Sequence, residues 1–350
     1  MSTFSDTTKV GTLIRSTSAG EKKPSSIILI LFACTLSFLL FSLIGELIVR
    51  FYLNFKTIYD IEMSKYAIEL KIQSENPKIR HKHRPNSQAH LMNVDVRINS
   101  DGLRDHEHSI EKNGKYRIAF LGDSLTFGWG VREEENFKSL LEKKFNQLQP
   151  VDIINFGTGN YNTEQEVNLF LESGLKYSPN KVVVFYFIND AEPTRSKSPW
   201  SFLENSRMLS FYWSRINNLL GRWNTDRSFY SFYSRLYDDQ QEGWKNTKAA
   251  LSQLNEECKK RNISLQVVLL PELHELKNYP FQKQHNMVLK HLRSLNIAYL
   301  DITDNFKSFS KPTELWVSSD DAHPNALAHS MISDFVHDFI KPSHKRQEDL

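Results

Sequence analysis

The pattern of apolar and polar positions changes character along the chain. From Ile27 to Ile44 every residue is apolar or small, and the run continues to Val49 with Glu46 as its only charge. A helix rises about 1.5 Å per residue, so roughly 20 residues cross the hydrocarbon core of a bilayer. The run therefore predicts one transmembrane helix over 27–49. Glu46 and Arg50 stand four residues apart and can pair at the far interface, beside Phe51 and Tyr52 as aromatic anchors. Two other readings fit less well. A cleaved signal peptide has a shorter apolar region and a small-residue cut site, and Leu-Ile-Gly-Glu-Leu-Ile is a poor one. A helix apolar on every face at the start of a chain is more often a membrane span than a core helix. Lys22 and Lys23, with Arg15 and Lys9 behind them, precede the run, while Arg50, Lys56 and Lys65 follow it among acidic residues. The positive-inside rule then predicts residues 1–26 as a cytoplasmic tail and a periplasmic or extracellular remainder.

Residues 50–115 form a polar, weakly patterned connector. Its five histidines, His81, His83, His90, His106 and His108, lack HExxH or another tight ligand spacing, which favours a solvated loop over a metal site. From Tyr116 the pattern becomes regular. Short apolar runs at 117–122, 151–156, 181–187, 264–270 and 297–300 read as strands buried on both faces. Helix-like stretches separate them at about 136–147, 163–176, 244–261 and 283–294, with a last one near 325–340. Such alternation predicts an α/β fold, a parallel sheet covered by helices on both sides, over 116–341, with a tail at 342–350. Ligands of such sheets bind beyond the carboxyl ends of the strands.

Composition narrows the classes of function. There are 44 basic against 41 acidic residues, a net charge of +3, with no clustered basic face to suggest nucleic acid. Cys34 and Cys258 make neither a disulfide framework nor a CxxC motif. No motif implies a metal or another cofactor.

The candidate chemistry sits at strand ends. The first strand runs into Gly122-Asp123-Ser124-Leu125, which places a serine at the reactive edge of the sheet. Serine is a weak nucleophile without a base. Near the end of the chain, Asp320-Asp321-Ala322-His323-Pro324-Asn325 offers a histidine with a carboxylate to orient it. The third strand ends Ile188-Asn189-Asp190, where an asparagine amide can donate to an oxyanion. The second ends Asn155-Phe156-Gly157-Thr158-Gly159-Asn160, a turn rich in backbone donors. Taken singly, each has a bland alternative: a helix cap, a structural histidine before proline, or an Asx turn.

Taken in order, over about 94–341, these blocks resemble the SGNH, or GDSL, hydrolase family, and the flanking INSDGLRD and WGVREEENF look like its bacterial membrane-anchored members. The resemblance implies a flavodoxin-like three-layer α/β/α fold and ester hydrolysis through an acyl-enzyme. It implies Ser124 as nucleophile and backbone oxyanion donor, His323 as general base, Asp320 as its orienter on the family's spacing with Asp321 as fallback, and Asn189 as the oxyanion asparagine. Alignment puts Asn160 where the family has its oxyanion glycine, with Gly159 beside it, so either amide can be that donor. Asp123 and Trp200 stand as substrate-binding candidates.

The segment 195–245 reads as an aromatic-rich insertion with interleaved arginines, either a substrate wall or amphipathic helices packed on the sheet. An anchored SGNH enzyme implies an acylated envelope glycan or lipid as substrate, with acetyl a natural acyl group. Two alternatives remain: an O-acyltransferase acting on an envelope polysaccharide, which shares the acyl-enzyme, and a catalytically silent envelope scaffold. The order Ser before Asp and His differs from that of alginate-type transferases, and a complete Ser–Asp–His set argues against a scaffold.

Overall fold

The computed structural model describes residues 26–53, 57–194 and 229–342. The chain divides into two units, Met1–Ile48 and Val49–Leu350. Helix α1, Ser26–Leu53, is the described part of the first and enters the second. It is long and apolar enough to cross a membrane, a test that a signal sequence also passes.

In the second unit, the connector expected to be weakly structured is built of regular elements. Helix α2 (Tyr59–Leu70) leads into strands β1 (Lys71–Gln73) and β2 (His81–His83), then into the hairpin β3 (Gln88–Leu91) and β4 (Val94–Arg97). The hairpin turns at Met92 and Asn93, both with positive φ, the conformation that matches the twist of paired strands. Helix α2 buries Tyr66 and Leu70, four residues apart on one face, against Leu91, Val96, Phe127 and Trp129. The solvated-loop reading of the histidines is corrected by this packing. His83 is buried between the Tyr66 hydroxyl (2.6 Å) and the Gly102 carbonyl (3.1 Å), and the His108 side chain is fully buried. His90 and His106 remain exposed. Long side chains in a polar segment hid the apolar positions.

The central sheet contains β5 (Tyr116–Gly122), β6 (Val151–Asn155), β7 (Lys181–Tyr186), β8 (Ser264–Leu269) and β9 (Ala298–Asp301). Its order is β6-β5-β7-β8-β9 and every pairing is parallel. This is the flavodoxin-like order, in which β5, the first strand, lies between the second and third. The expected three layers follow from the alternation along each strand. Ala119, Leu121, Val182 and Val184 face one core with Val167, Leu251 and Val288; Ile118, Phe120, Val183 and Phe185 face the other with Leu141, Phe306 and Val336. Burial on both faces explains the unbroken apolar runs. The expected helices appear at Phe137–Phe145, Thr163–Leu169, Glu242–Lys260, Gln282–Ser294 and Ala326–Ile340. The second of these is shorter than its pattern suggested, because the chain continues as wider and tighter turns to Tyr177.

Of the aromatic insertion, residues 229–245 fall within the described residues. Helix Phe229–Leu236 packs at its end against the sheet side. Tyr237 and Trp244 are buried, and the Tyr237 hydroxyl meets Tyr186 (2.8 Å) and the Ile188 carbonyl (3.0 Å). These rings are packing residues. Phe229 and Tyr233 instead line the cavity described next.

Candidate active site

The order reverses at β5: its chain continues to β6 on one side and later to β7 on the other. A crevice forms beyond the carboxyl ends of the strands at such a point, and here it is a cavity of about 600 Å³ lined by Ser124, Asn160, Asn189 and His323. Ser124 opens the short helix Ser124–Phe127, and Asp123 caps it by accepting from the Leu125 amide (2.9 Å). Close packing holds this helix against the turn after β6. A Cβ on Gly157 would come within 2.3 Å of the Phe127 backbone nitrogen, so only glycine fits there.

The Ser124 hydroxyl lies 2.8 Å from His323 Nε2, and His323 Nδ1 lies 2.5 Å from Asp321 Oδ1. Asp321 also accepts from the His323 amide (3.1 Å) and from the buried Trp129 indole N–H (2.8 Å). Burial raises the pKa of Asp321, but the neighbouring His323 and these donors outweigh it and hold the group below the ordinary carboxylate range. Nδ1 therefore donates to a carboxylate, which leaves Nε2 free to accept the serine proton. Tyr59 stacks on His323 with ring centres 5.7 Å apart.

The carboxylate beside His323 is Asp321; the expectation of Asp320 is corrected. Residues 321–324 form a strand paired antiparallel with 316–318. Side chains two apart on a strand share a face and those three apart do not. Asp321 thus lies beside His323, while exposed Asp320 occupies the hairpin tip and accepts from the Ser318 hydroxyl (2.7 Å).

The expected oxyanion donors separate in the same way. Asn189 is fixed by donating one amide hydrogen to Asp123 Oδ2 (2.9 Å), which leaves its second for a ligand. Asn160, with φ of 67°, lines the cavity, and its backbone N–H has no acceptor among the described residues. Gly159 does not fit the role, because its N–H donates to the Tyr66 hydroxyl (2.9 Å), and a Cβ there would meet the Tyr66 ring at 2.6 Å. Asp123, a substrate-binding candidate, is fully buried beneath the cavity and holds Ser124's helix and Asn189 instead. Burial raises its pKa. Trp200 lies outside the described residues.

Sequence reasoning missed the contribution of the connector. Tyr59, Arg80 and His81 line the cavity, and Tyr66 holds the turn after β6 through the Gly159 amide. The one signal was the spacing of Tyr66 and Leu70, four residues apart. A second pair was also missed: His274 Nδ1 meets the buried carboxylate of Glu272, both on the loop after β8 and both lining the cavity.

A hydroxyl, an imidazole and a carboxylate in line, below free N–H groups at the switch point of a three-layer α/β/α sheet, define a serine-hydrolase architecture. The chain belongs to the GDSL-like lipase/acylhydrolase family, whose model matches residues 120–331, and so is a hydrolase acting on ester bonds. No curated protein matches the chain. Similar solved structures include a catalytic mutant of an acetylxylan esterase from Geobacillus stearothermophilus (14% identity, TM-score 0.44, covering 67% of this chain and 100% of that one). Others are the psychrotrophic esterase EstA from Pseudoalteromonas sp. (16%, 0.39, 65% and 99%) and a lipase/acylhydrolase from Enterococcus faecalis (14%, 0.40, 65% and 99%).

Proposed function

We propose that this chain is a membrane-anchored serine esterase that removes an acyl group, such as acetyl, from a cell-envelope glycan or lipid through an acyl-enzyme. One observation carries the mechanism: Ser124 Oγ stands 2.8 Å from His323 Nε2 while Asp321 holds Nδ1. Ser124 Oγ attacks the acyl carbonyl as its proton passes to His323 Nε2. The carbonyl oxygen becomes an oxyanion that accepts from the N–H groups of Ser124 and Asn160 and from Asn189 Nδ2. Collapse expels the alcohol, which takes the proton from His323. Water then attacks the acyl-serine, again giving its proton to His323, and the carboxylic acid leaves with Ser124 restored.

The apolar length of α1 supports an anchor, and the basic residues before it support a cytoplasmic N-terminus with the catalytic unit in the periplasm or outside the cell. An enzyme so placed meets envelope glycans and lipids.

The test is hydrolysis of p-nitrophenyl acetate and of longer acyl esters by the full chain in detergent, beside Ser124→Ala. Hydrolysis that falls by about 10⁴-fold or more in the variant is the expected result. Equal turnover in both proteins would refute Ser124 as nucleophile, and no turnover in a folded wild type would favour a transferase or a scaffold.

A further inference from the structure

We propose that Arg80 anchors a negatively charged group of the substrate, a carboxylate or phosphate on either side of the scissile ester; the inference rests on the esterase reading above. Arg80 lines the same cavity as Ser124 and His323 and is half-buried. The next two residues are paired, His81 with the Gly159 carbonyl (3.2 Å) and Lys82 with Glu172 (3.2 Å), whereas the Arg80 guanidinium has no hydrogen-bond or ion-pair partner among the described residues. A half-buried cation without a partner is costly, because burial removes water that nothing replaces. None of the acidic groups that line the cavity pairs with it among the described residues, and each holds another partner. Asp321 holds His323 and Trp129, Glu272 holds His274, Glu192 accepts from the Tyr233 hydroxyl and Asp320 from Ser318.

The backbone shows that the position is built. Arg80 has φ of 68°, a left-handed conformation that side-chain-bearing residues seldom adopt. Neighbouring contacts impose it. The Arg80 N–H donates to the Asn76 carbonyl (3.0 Å), its carbonyl accepts from the Ser74 amide (2.9 Å), and Gln165 donates to the Ile79 carbonyl (2.8 Å). Glycine would satisfy that backbone more easily, yet the residue is arginine. Its planar fork of donors suits a carboxylate or phosphate. Lys71 lies near the same turn: it donates to the Gly159 carbonyl (2.9 Å) and to Asn160 Oδ1 (2.8 Å) and has no acidic partner among the described residues, and burial, which opposes its charge, pushes its pKa down to about 7, so that an anion in the cavity would favour its protonated form.

The backbone also supplies the test, because Arg80→Gly removes the cation and suits the left-handed turn, so the variant keeps its fold. The full chain in detergent is assayed with two matched pairs of esters. Mono-p-nitrophenyl succinate against p-nitrophenyl butyrate places the charge on the acyl side. O-acetylated methyl glucuronoside against O-acetylated methyl glucoside places it on the alcohol side. Wild type is expected to favour the charged member of one pair by about tenfold or more in kcat/KM. Arg80→Gly should erase that ratio and Arg80→Lys keep part of it. No preference in either pair, or a preference that survives in Arg80→Gly, overturns the proposal while leaving the esterase reading intact. If no ester is cleaved in a Ser124-dependent way, the esterase reading fails by itself. Calorimetric titration with glucuronate and with phosphate then decides the anion site: binding that Arg80→Gly abolishes upholds it, and binding of neither overturns it.

Discussion

His323 and His108 each sit beside a buried aspartate, and their second nitrogens meet different groups. His323 has Asp321 on Nδ1 and a serine hydroxyl on Nε2, at the floor of an open cavity. His108 has carboxylates on both nitrogens, Asp152 at 2.8 Å and Asp105 at 3.0 Å, along the outer edge of β6. Burial alone would lower the pKa of His108, but the two aspartates outweigh it and push it up to about 9. His108 is therefore a cation at neutral pH and has no lone pair to offer. It completes a network in which Arg117 pairs with Asp152, and Lys138 with Asp105 and Glu142. The Asp105 and Glu142 carboxylates in turn accept from the Asn155 and Ile153 amides, covering the sheet edge. The partner of the second nitrogen, rather than the histidine–aspartate pair itself, suits His323 to be the base of the proposed reaction and His108 to be a strut.

The largest loss of turnover should come from Asp321. Asp321→Asn should lower kcat/KM by about 10⁴-fold, because an amide can hold the wrong tautomer of His323. Asp320→Asn, at the hairpin tip, should leave the rate within about twofold, as for an exposed surface change. The reverse ranking, measured on one chromogenic ester, would restore Asp320 as the orienting group. Asn189→Ala comes next, with kcat down about 10²- to 10³-fold if its free amide hydrogen meets the oxyanion; an unchanged kcat would remove it from that role. Tyr66→Phe tests the connector. The variant loses the buried hydrogen bonds of the hydroxyl to the Gly159 amide and to His83 Nε2; the one to Gly159 should cost about 1 kcal/mol of turn geometry, and so roughly fivefold in kcat. A KM change without a kcat change would instead make Tyr66 a substrate contact.

The parts legible in the sequence were those with a period or a motif. Five apolar runs gave the parallel sheet, because burial on both faces leaves no polar alternation to confuse. Gly122-Asp123-Ser124 and the run Asp320-Asp321-Ala322-His323 announced themselves by their chemistry. The choice between Asp320 and Asp321 was not legible, since it depends on whether the backbone is extended or looped, and a local hairpin with residues 316–318 decides that. Gly159 was misjudged for a related reason: its amide is consumed by Tyr66, 93 residues earlier in the chain. The same holds for Tyr59 and Arg80, which reach the cavity through long-range packing of a segment whose composition reads as linker.

The smallest effect on turnover should come from His108. His108→Gln removes the cation between Asp105 and Asp152, far from the reacting atoms, so kcat/KM should stay within about threefold. Stability should fall, and in a pH-dependent way. The folded pKa of about 9 stands above the ordinary 6.5, so proton binding favours the folded state. That contribution is complete below pH 6.5 and fades as pH rises through 9; its full size is roughly 3 kcal/mol. Thermal unfolding of the full chain in detergent should therefore separate wild type from His108→Gln widely at pH 6 and much less at pH 10. An equal gap at both values would mean that packing, and not the charge, is what His108 supplies. A collapse of turnover at pH 6 with the fold intact would tie the edge network to the active site and erase the distinction between base and strut.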